Sequence, residues 1–102
     1  ALDLGCGQGL IADLVQQHTG AKIVGMNISP EQIEKARDNA KRTGKLGTLL
    51  EFNKGSMNDD PFPYPDKSFD AVYAVQTLPY AHNLTNMMRE VRRVLKPGGI
   101  FS

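Results

Sequence analysis

The stretch LDLGCGQG, residues 2–9, decides how the rest of the chain is read. Leu2-Asp3-Leu4 has the composition of the end of a buried strand. Gly5, Gly7 and Gly9 follow at alternate positions. Glycine tolerates positive φ and lets another group approach the backbone closely. Behind them Leu10, Ile11, Leu14, Val15 and His18 recur at helical spacing, and Gly20 is the stop. The stretch therefore reads as a strand-to-helix corner. A helix N-terminus at such a corner offers free N–H groups and partial positive charge to a polar or anionic part of a ligand.

Working outward, the same alternation continues. AKIVGMN (21–27) is a second strand. Ser29 then serves as N-cap, Pro30 suits the first helical position, and Gln32 completes a capping box. Ile33, Ala36 and Ala40 form the buried stripe of this helix, and Gly44 ends it. TLLEFN (48–53) is a third strand. Residues 57–68 carry Pro61, Pro63 and Pro65 and predict no helix. Phe62, Tyr64 and Phe69 flank these prolines, either lining an apolar entrance or pinning the loop to the sheet. FDAVYAV (69–75) is a fourth strand. Asn83 caps a third helix with the stripe Leu84, Met87, Met88, Val91, Val94 and Leu95. Pro97-Gly98-Gly99 terminates that helix, and a fifth strand begins.

Strands alternating with crossovers predict an α/β fold, a doubly wound, mostly parallel sheet, in one domain over residues 1–102. Ligands of such sheets bind outside the carboxyl ends of the strands. That rule selects residues 5–9, 27–29, 55–58 and 76–82. The chain starts inside one strand and stops as another begins, without an initiating Met, which reads as a fragment of a longer protein.

Composition excludes several classes. Lys+Arg is 12 against Asp+Glu 11, so no charge excess points to nucleic acid or an anionic surface. The basic residues cluster in two helical stretches, Lys35 to Lys45 and Arg89 to Lys96, where a solvated face and a helix C-terminus account for them. The single cysteine, Cys6, forms no internal disulfide and fits a reducing, cytoplasmic setting. Without a second cysteine or a neighbouring histidine it reads as a small loop residue, not as metal ligand or nucleophile. No run reaches membrane-span length and no signal-peptide pattern is present. His18 reads as a packed residue satisfied by its helix end.

The glycine spacing narrows the ligand. The dinucleotide fingerprint G-x-G-x-x-G, begun at Gly5, would need its third glycine at position 10, which is Leu10. This argues against a nicotinamide oxidoreductase. No Gly-Lys-Ser/Thr follows, so a P-loop fails as well. Asp3 stands at the strand end, where it could face a cation. Asn27 closes the second strand at about the position where nucleotide folds bond a ribose hydroxyl. It reads alternatively as the turn residue leading to the Ser29 cap.

Four segments in this order, LDLGCGQG, IVGMNISPEQIEKAR, PFPYPDKSFDAVYA and EVRRVLKPGGIF, resemble class I S-adenosylmethionine-dependent methyltransferases. TGAKIVGMNISPEQIEKA resembles most the branch of sterol 24-C-methyltransferases and their small-molecule relatives. The resemblance covers essentially the whole chain. It implies a Rossmann-like core with strands one to five of seven, ordered 3-2-1-4-5, truncated at both ends.

By the same resemblance, the cofactor is S-adenosyl-L-methionine. Gly5, Gly7 and Gly9 receive its methionine part, and Asp3 orients the ammonium. Asn27 holds the ribose, Ile28 packs on adenine, and Ser56 and Met57 meet the adenine edge and face. Gln76 lies near the transferred methyl. Ser56 and Gln76 stand where the family usually has acids. A cofactor-binding but inactive module serving a partner protein is therefore the alternative to a methyltransferase of a small, lipid-like acceptor such as a sterol. Tyr80 and His82 are candidates for a base, although His82 reads more simply as a loop residue before the Asn83 cap. A sterol acceptor would add peripheral association with an internal membrane.

Overall fold

The computed structural model describes residues 1–74 and 83–102. Its elements are β1 (Leu2–Leu4), α1 (Leu10–Thr19), β2 (Ile23–Asn27), α2 (Pro30–Arg42), β3 (Leu50–Lys54), β4 (Phe69–Ala74), α3 (Leu84–Val94) and β5 (Leu95–Phe101). The strands form a parallel sheet in the order β3-β2-β1-β4-β5, as expected.

Strand alternation divides the core between the two faces of the sheet. Leu2, Leu4, Val24, Met26 and Val72 point to the side covered by Met87, Val91 and Val94 of α3. Ile23, Leu50 and Phe52 point to the other side, under Ala12 of α1 and Ile33, Ala36 and Ala40 of α2. A single row crosses that second face. Phe52 pairs with Gly25, Gly25 with Asp3, and Asp3 with Tyr73. Gly25 has no side chain because the row has no room for one. A Cβ there would lie 2.7 Å from Phe52 Cδ1 and 2.8 Å from Cys6 Cβ.

The caps behave largely as the sequence predicts. Gly20 closes α1 in the left-handed region. Ser29 Oγ accepts from Gln32 N–H at 3.3 Å with Pro30 at the start of α2, and Asn83 Oδ1 accepts from Asn86 N–H. The reciprocal half of the capping box is not made, since Gln32 Oε1 is buried without a partner.

Three expectations are corrected. In α1 the apolar residues Leu10, Ile11 and Leu14 face outward, with Leu10 63 % and Leu14 52 % exposed, while Ala12 and Gln16 are buried. Ala12 sits in the core on this face of the sheet, and Val15 packs against the same cluster. His18 is exposed, not packed, and its Nδ1 contacts Leu14 O at 2.9 Å, which satisfies the helix end as expected. In α3 the helix stops at Val94, before Pro97-Gly98-Gly99. Leu95 pairs with Phe69, and the register shifts before Ile100 pairs with Ala71. The Pro-Gly-Gly segment thus lies within the fifth strand as an irregularity.

The proline-rich loop is pinned to the sheet and to α3. Phe62 is buried in the core, and Tyr64 packs edge-on against Phe69 with ring centroids 5.1 Å apart. Buried Glu90 accepts Phe62 N–H at 2.8 Å and Arg93 Nε at 3.0 Å. Arg93 also bonds Asp66 Oδ1 at 2.8 Å and Phe62 O at 3.1 Å.

Candidate functional site

The corner between β1 and α1 owes its shape to its glycines. Gly5, Gly7 and Gly9 have φ of 72°, 56° and 80°, left-handed values that strain any residue with a Cβ. Their surroundings differ. A Cβ on Gly9 would fall 2.7 Å from Phe52 Cζ and 3.2 Å from Ala36 Cβ, so Gly9 lets α1 start in contact with β3 and α2. Around Gly7 nothing lies within 4 Å of the Cβ position. Gly7 therefore borders open space.

The amides of the corner are not all available. Gly5 N–H and Cys6 N–H both donate to Met26 O, at 2.8 and 3.0 Å, and Gly9 N–H donates to Cys6 O at 3.0 Å. Among the described residues no acceptor meets the amides of Gly7, Gln8, Leu10 or Ile11, and α1 has no side-chain cap. These unclaimed donors, with the helix dipole behind them, suit a carboxylate.

Asp3 lies in the row beneath this corner and is only 2 % exposed. Burial pushes its carboxyl up to about 7, partly opposed by the neighbouring Tyr73 hydroxyl. That hydroxyl is itself buried without a hydrogen-bond partner of good geometry, and burial and the charge of Asp3 raise its pKa. Asp3 offers a ligand its negative charge more than an open contact. Burial pushes the Cys6 thiol up to about 12, which keeps it inert and agrees with its reading as a loop filler.

One strand over, Asn27 ends β2 and its Oδ1 accepts Ile28 N–H at 3.0 Å, which leaves its amide nitrogen for a ligand hydroxyl. Ile28 is 66 % exposed, an apolar surface standing at the sheet edge. One strand further, Ser56 Oγ accepts Asn58 N–H at 3.0 Å and Ser56 N–H donates to Asp59 Oδ2 at 2.9 Å. Met57 turns onto the core of the α3 face.

The fold thus gathers Asp3, Gly5, Gly7, Gly9, Asn27, Ile28 and Ser56 on one edge, within about 10 Å from β1 to β3. Gln76, Tyr80 and His82 lie outside the described residues. Sequence reading overlooked Asp59. Its signal was the S-x-x-D spacing of Ser56 and Asp59, which favours a side chain folding back on the turn.

This edge can receive an elongated ligand: a carboxylate on the corner amides, a cation in the field of Asp3, a hydroxylated ring at Asn27, and a flat apolar group on Ile28. A cavity of about 750 Å³, lined by Gln8 of the corner and by Lys35, Asp38, Asn39, Lys41 and Arg42, runs beside α2 and is walled by long side chains. Among the described residues no His, Cys, Asp or Glu group is arranged to hold a metal ion.

Comparison with known proteins shows the family and agrees with the fold. The family model for a methyltransferase domain matches residues 2–102. Sterol 24-C-methyltransferase ERG6B of Gibberella zeae is 45 % identical over 100 residues, 98 % of this chain and 26 % of that protein. Squalene methyltransferase 1 of Botryococcus braunii is 40 % identical over 101 residues, 99 % of this chain and 26 % of that protein. The chain spans about a quarter of the length of these curated relatives. Among solved structures, the [4+2]-cyclase SpnF superposes with a TM-score of 0.89 at 37 % identity, covering 98 % of this chain and 36 % of that one. Geranyl diphosphate methyltransferase in complex with GPP and sinefungin superposes with a TM-score of 0.89 at 25 % identity, with the same coverage.

Proposed function

Because the chain belongs to the methyltransferase domain family, we propose that it binds S-adenosyl-L-methionine and that the protein transfers its methyl group to a small, lipid-like acceptor such as a sterol. One observation carries the cofactor reading. The open space at Gly7, flanked by unclaimed amides and backed by buried Asp3, is a receptor for a group carrying both a carboxylate and an ammonium. A free amino-acid end is such a group. The acceptor class rests on the likeness to the curated relatives, led by sterol 24-C-methyltransferases. Residues 1–102 then form a partial methyltransferase core.

When bound, the cofactor supplies an electrophilic methyl on a sulfonium. The protein contributes position. The amides of Gly7 and Gln8 and the α1 dipole hold the carboxylate, Asp3 favours the ammonium, Asn27 bonds the ribose, and Ile28 covers the adenine. Holding donor and acceptor near contact distance supplies several kcal/mol of barrier lowering, up to about 7–11 for ideal alignment. Gln76 is assigned to the methyl-donor end, and Tyr80 and His82 to the acceptor side. No helix of the described residues is long and apolar enough to cross a membrane. We assign the protein to the cytoplasm, with peripheral membrane contact through a sterol acceptor.

A [4+2]-cyclase on the same fold makes turnover, and not binding alone, the deciding test. The purified protein is incubated with methyl-labelled cofactor and a panel of sterols and linear isoprenoids, and products are read by mass spectrometry. A product heavier by one labelled methyl group supports the reading. Tight cofactor binding with no methylated product across the panel favours the non-transferring module instead.

A further inference from the structure

We propose that Tyr73 is a positioning residue for the cofactor, its hydroxyl donating to the ionised Asp3 carboxylate and holding that charge beneath the β1–α1 corner; this rests on the cofactor reading above. The register of the sheet sets the two side by side. Asp3 pairs with Tyr73 across the β1–β4 ladder, and both project to the α1 and α2 face. On the other flank of Asp3 stands Gly25, which has no side chain to offer. In the row Phe52, Gly25, Asp3, Tyr73, the phenol is therefore the one polar partner for the acid. Its ring packs against the cluster that contains Cys6 and Ala12, so the hydroxyl is carried on a fixed arm.

The hydroxyl is buried and meets no acceptor of good geometry. An ionised carboxylate only accepts, and the phenol O–H is the donor it lacks. A hydrogen bond to a buried charge is worth about twice one between neutral groups. The pairing therefore tightens when Asp3 is ionised, which is the state that a neighbouring ammonium favours. The other titratable groups on the elements packed around Asp3 do not replace it. Asp13 of α1 is paired with Lys45 at 2.8 Å, and His18 is exposed at the end of that helix. Asp70 of β4 is exposed beside the amine of Ala1, and the Cys6 thiol is pushed up to about 12 and stays neutral. Burial raises the Asp3 carboxyl to about 7 against the opposing Tyr73 hydroxyl. Removing that hydroxyl leaves the rise unopposed, so Asp3 stays neutral to higher pH and offers the ammonium no charge.

The test is calorimetry with S-adenosylhomocysteine on wild type, Tyr73→Phe, Asp3→Asn and the double variant. It runs from about pH 5.5 to 8.5, roughly one and a half pH units on either side of the Asp3 value. Phe keeps the ring and its packing and removes only the hydroxyl. Tyr73→Phe is expected to bind about three- to tenfold more weakly below pH 7, with the rise in affinity displaced to higher pH and the two curves converging at the alkaline end. In the Asp3→Asn background the same change should cost less than about twofold. A profile unchanged from wild type overturns the proposal. So does a loss of the same size at every pH, or one that persists in Asp3→Asn, since either marks a packing role. A carboxyl NMR titration of Asp3 without ligand separates the pair from the cofactor reading. An Asp3 titration that does not move upward in Tyr73→Phe refutes the pair itself. Wild type that binds no nucleotide, with that upward movement present, overturns the cofactor reading and with it the role given to Tyr73.

Discussion

Asp3 and Tyr73 face each other across the β1–β4 ladder, a buried acid beside a buried hydroxyl that makes no hydrogen bond of good geometry. Burial of the Asp3 charge is only partly offset by the Tyr73 hydroxyl, and its carboxyl is pushed up to about 7. A folded-state pKa above the ordinary carboxylate range means that the folded protein holds a proton the unfolded chain has released. Stability from this group is therefore full at acid pH and falls as pH rises towards about 7. Thermal melts from pH 4.5 to 8, a span of roughly half a unit above the ordinary Asp range to one above this value, should show Asp3→Asn gaining on wild type with rising pH. Parallel curves for the two proteins would remove Asp3 as the source.

The same proton links to the ligand. An ammonium beside Asp3 favours its ionised form, so binding below about pH 7 should expel a proton. Affinity for S-adenosylhomocysteine should rise with pH up to about 7 and then level. Cys6 and Tyr73, the other titratable neighbours, are pushed above this window and do not contribute. Calorimetry in buffers of differing ionisation enthalpy measures the released proton, and Asp3→Asn should abolish it.

Gly7 and Gly9 have opposite sensitivities. Gly9→Ala drives a methyl into Phe52 and Ala36 and should cost about 2–4 kcal/mol of stability. Gly7→Ala meets only the left-handed penalty of about 1 kcal/mol, yet it places a methyl in the space beside the unclaimed amides. It should weaken nucleotide binding at least tenfold, or about 1.4 kcal/mol, with little change in melting temperature. Denaturant titration and calorimetry on the two variants separate packing from binding.

Glu90 is the clamp on the proline-rich loop. Glu90→Ala leaves Phe62 N–H and Arg93 Nε without their acceptor and should destabilise the fold by about 3 kcal/mol. The Arg93 bond holds the Glu90 carboxyl below its ordinary pKa, so its contribution stands at neutral pH and fades on acidification through that lowered value. Limited proteolysis should then open residues 57–68 first. Cleavage elsewhere, with that loop intact, would contradict the clamp.

Much of this was legible from local chemistry. The Ser29-Pro30 start, the Asn83 cap, the Gly20 stop and the strand-helix alternation are local signals, and the parallel sheet follows from them. The helix periodicity misled in α1, where tertiary packing chose another face, while the expected stripe Met87, Val91 and Val94 of α3 is buried. In α1 Ala12 and Gln16, not Leu10 and Leu14, are buried. In α3 a charged residue, Glu90, is buried because a distant backbone amide and Arg93 satisfy it. Glycine spacing could not separate roles either. Gly9, one position short of the dinucleotide pattern, does the close packing, and only the neighbours in space reveal this.

The central claim is that residues 5–9 hold the amino-acid end of the cofactor. A crystal structure of the protein with bound S-adenosylhomocysteine tests it most directly. The carboxylate should lie within hydrogen-bond distance of the Gly7 and Gln8 amides, with the ribose at Asn27. The nucleotide lodged beside α2 near Lys35 and Arg42, or anywhere away from that corner, would contradict it.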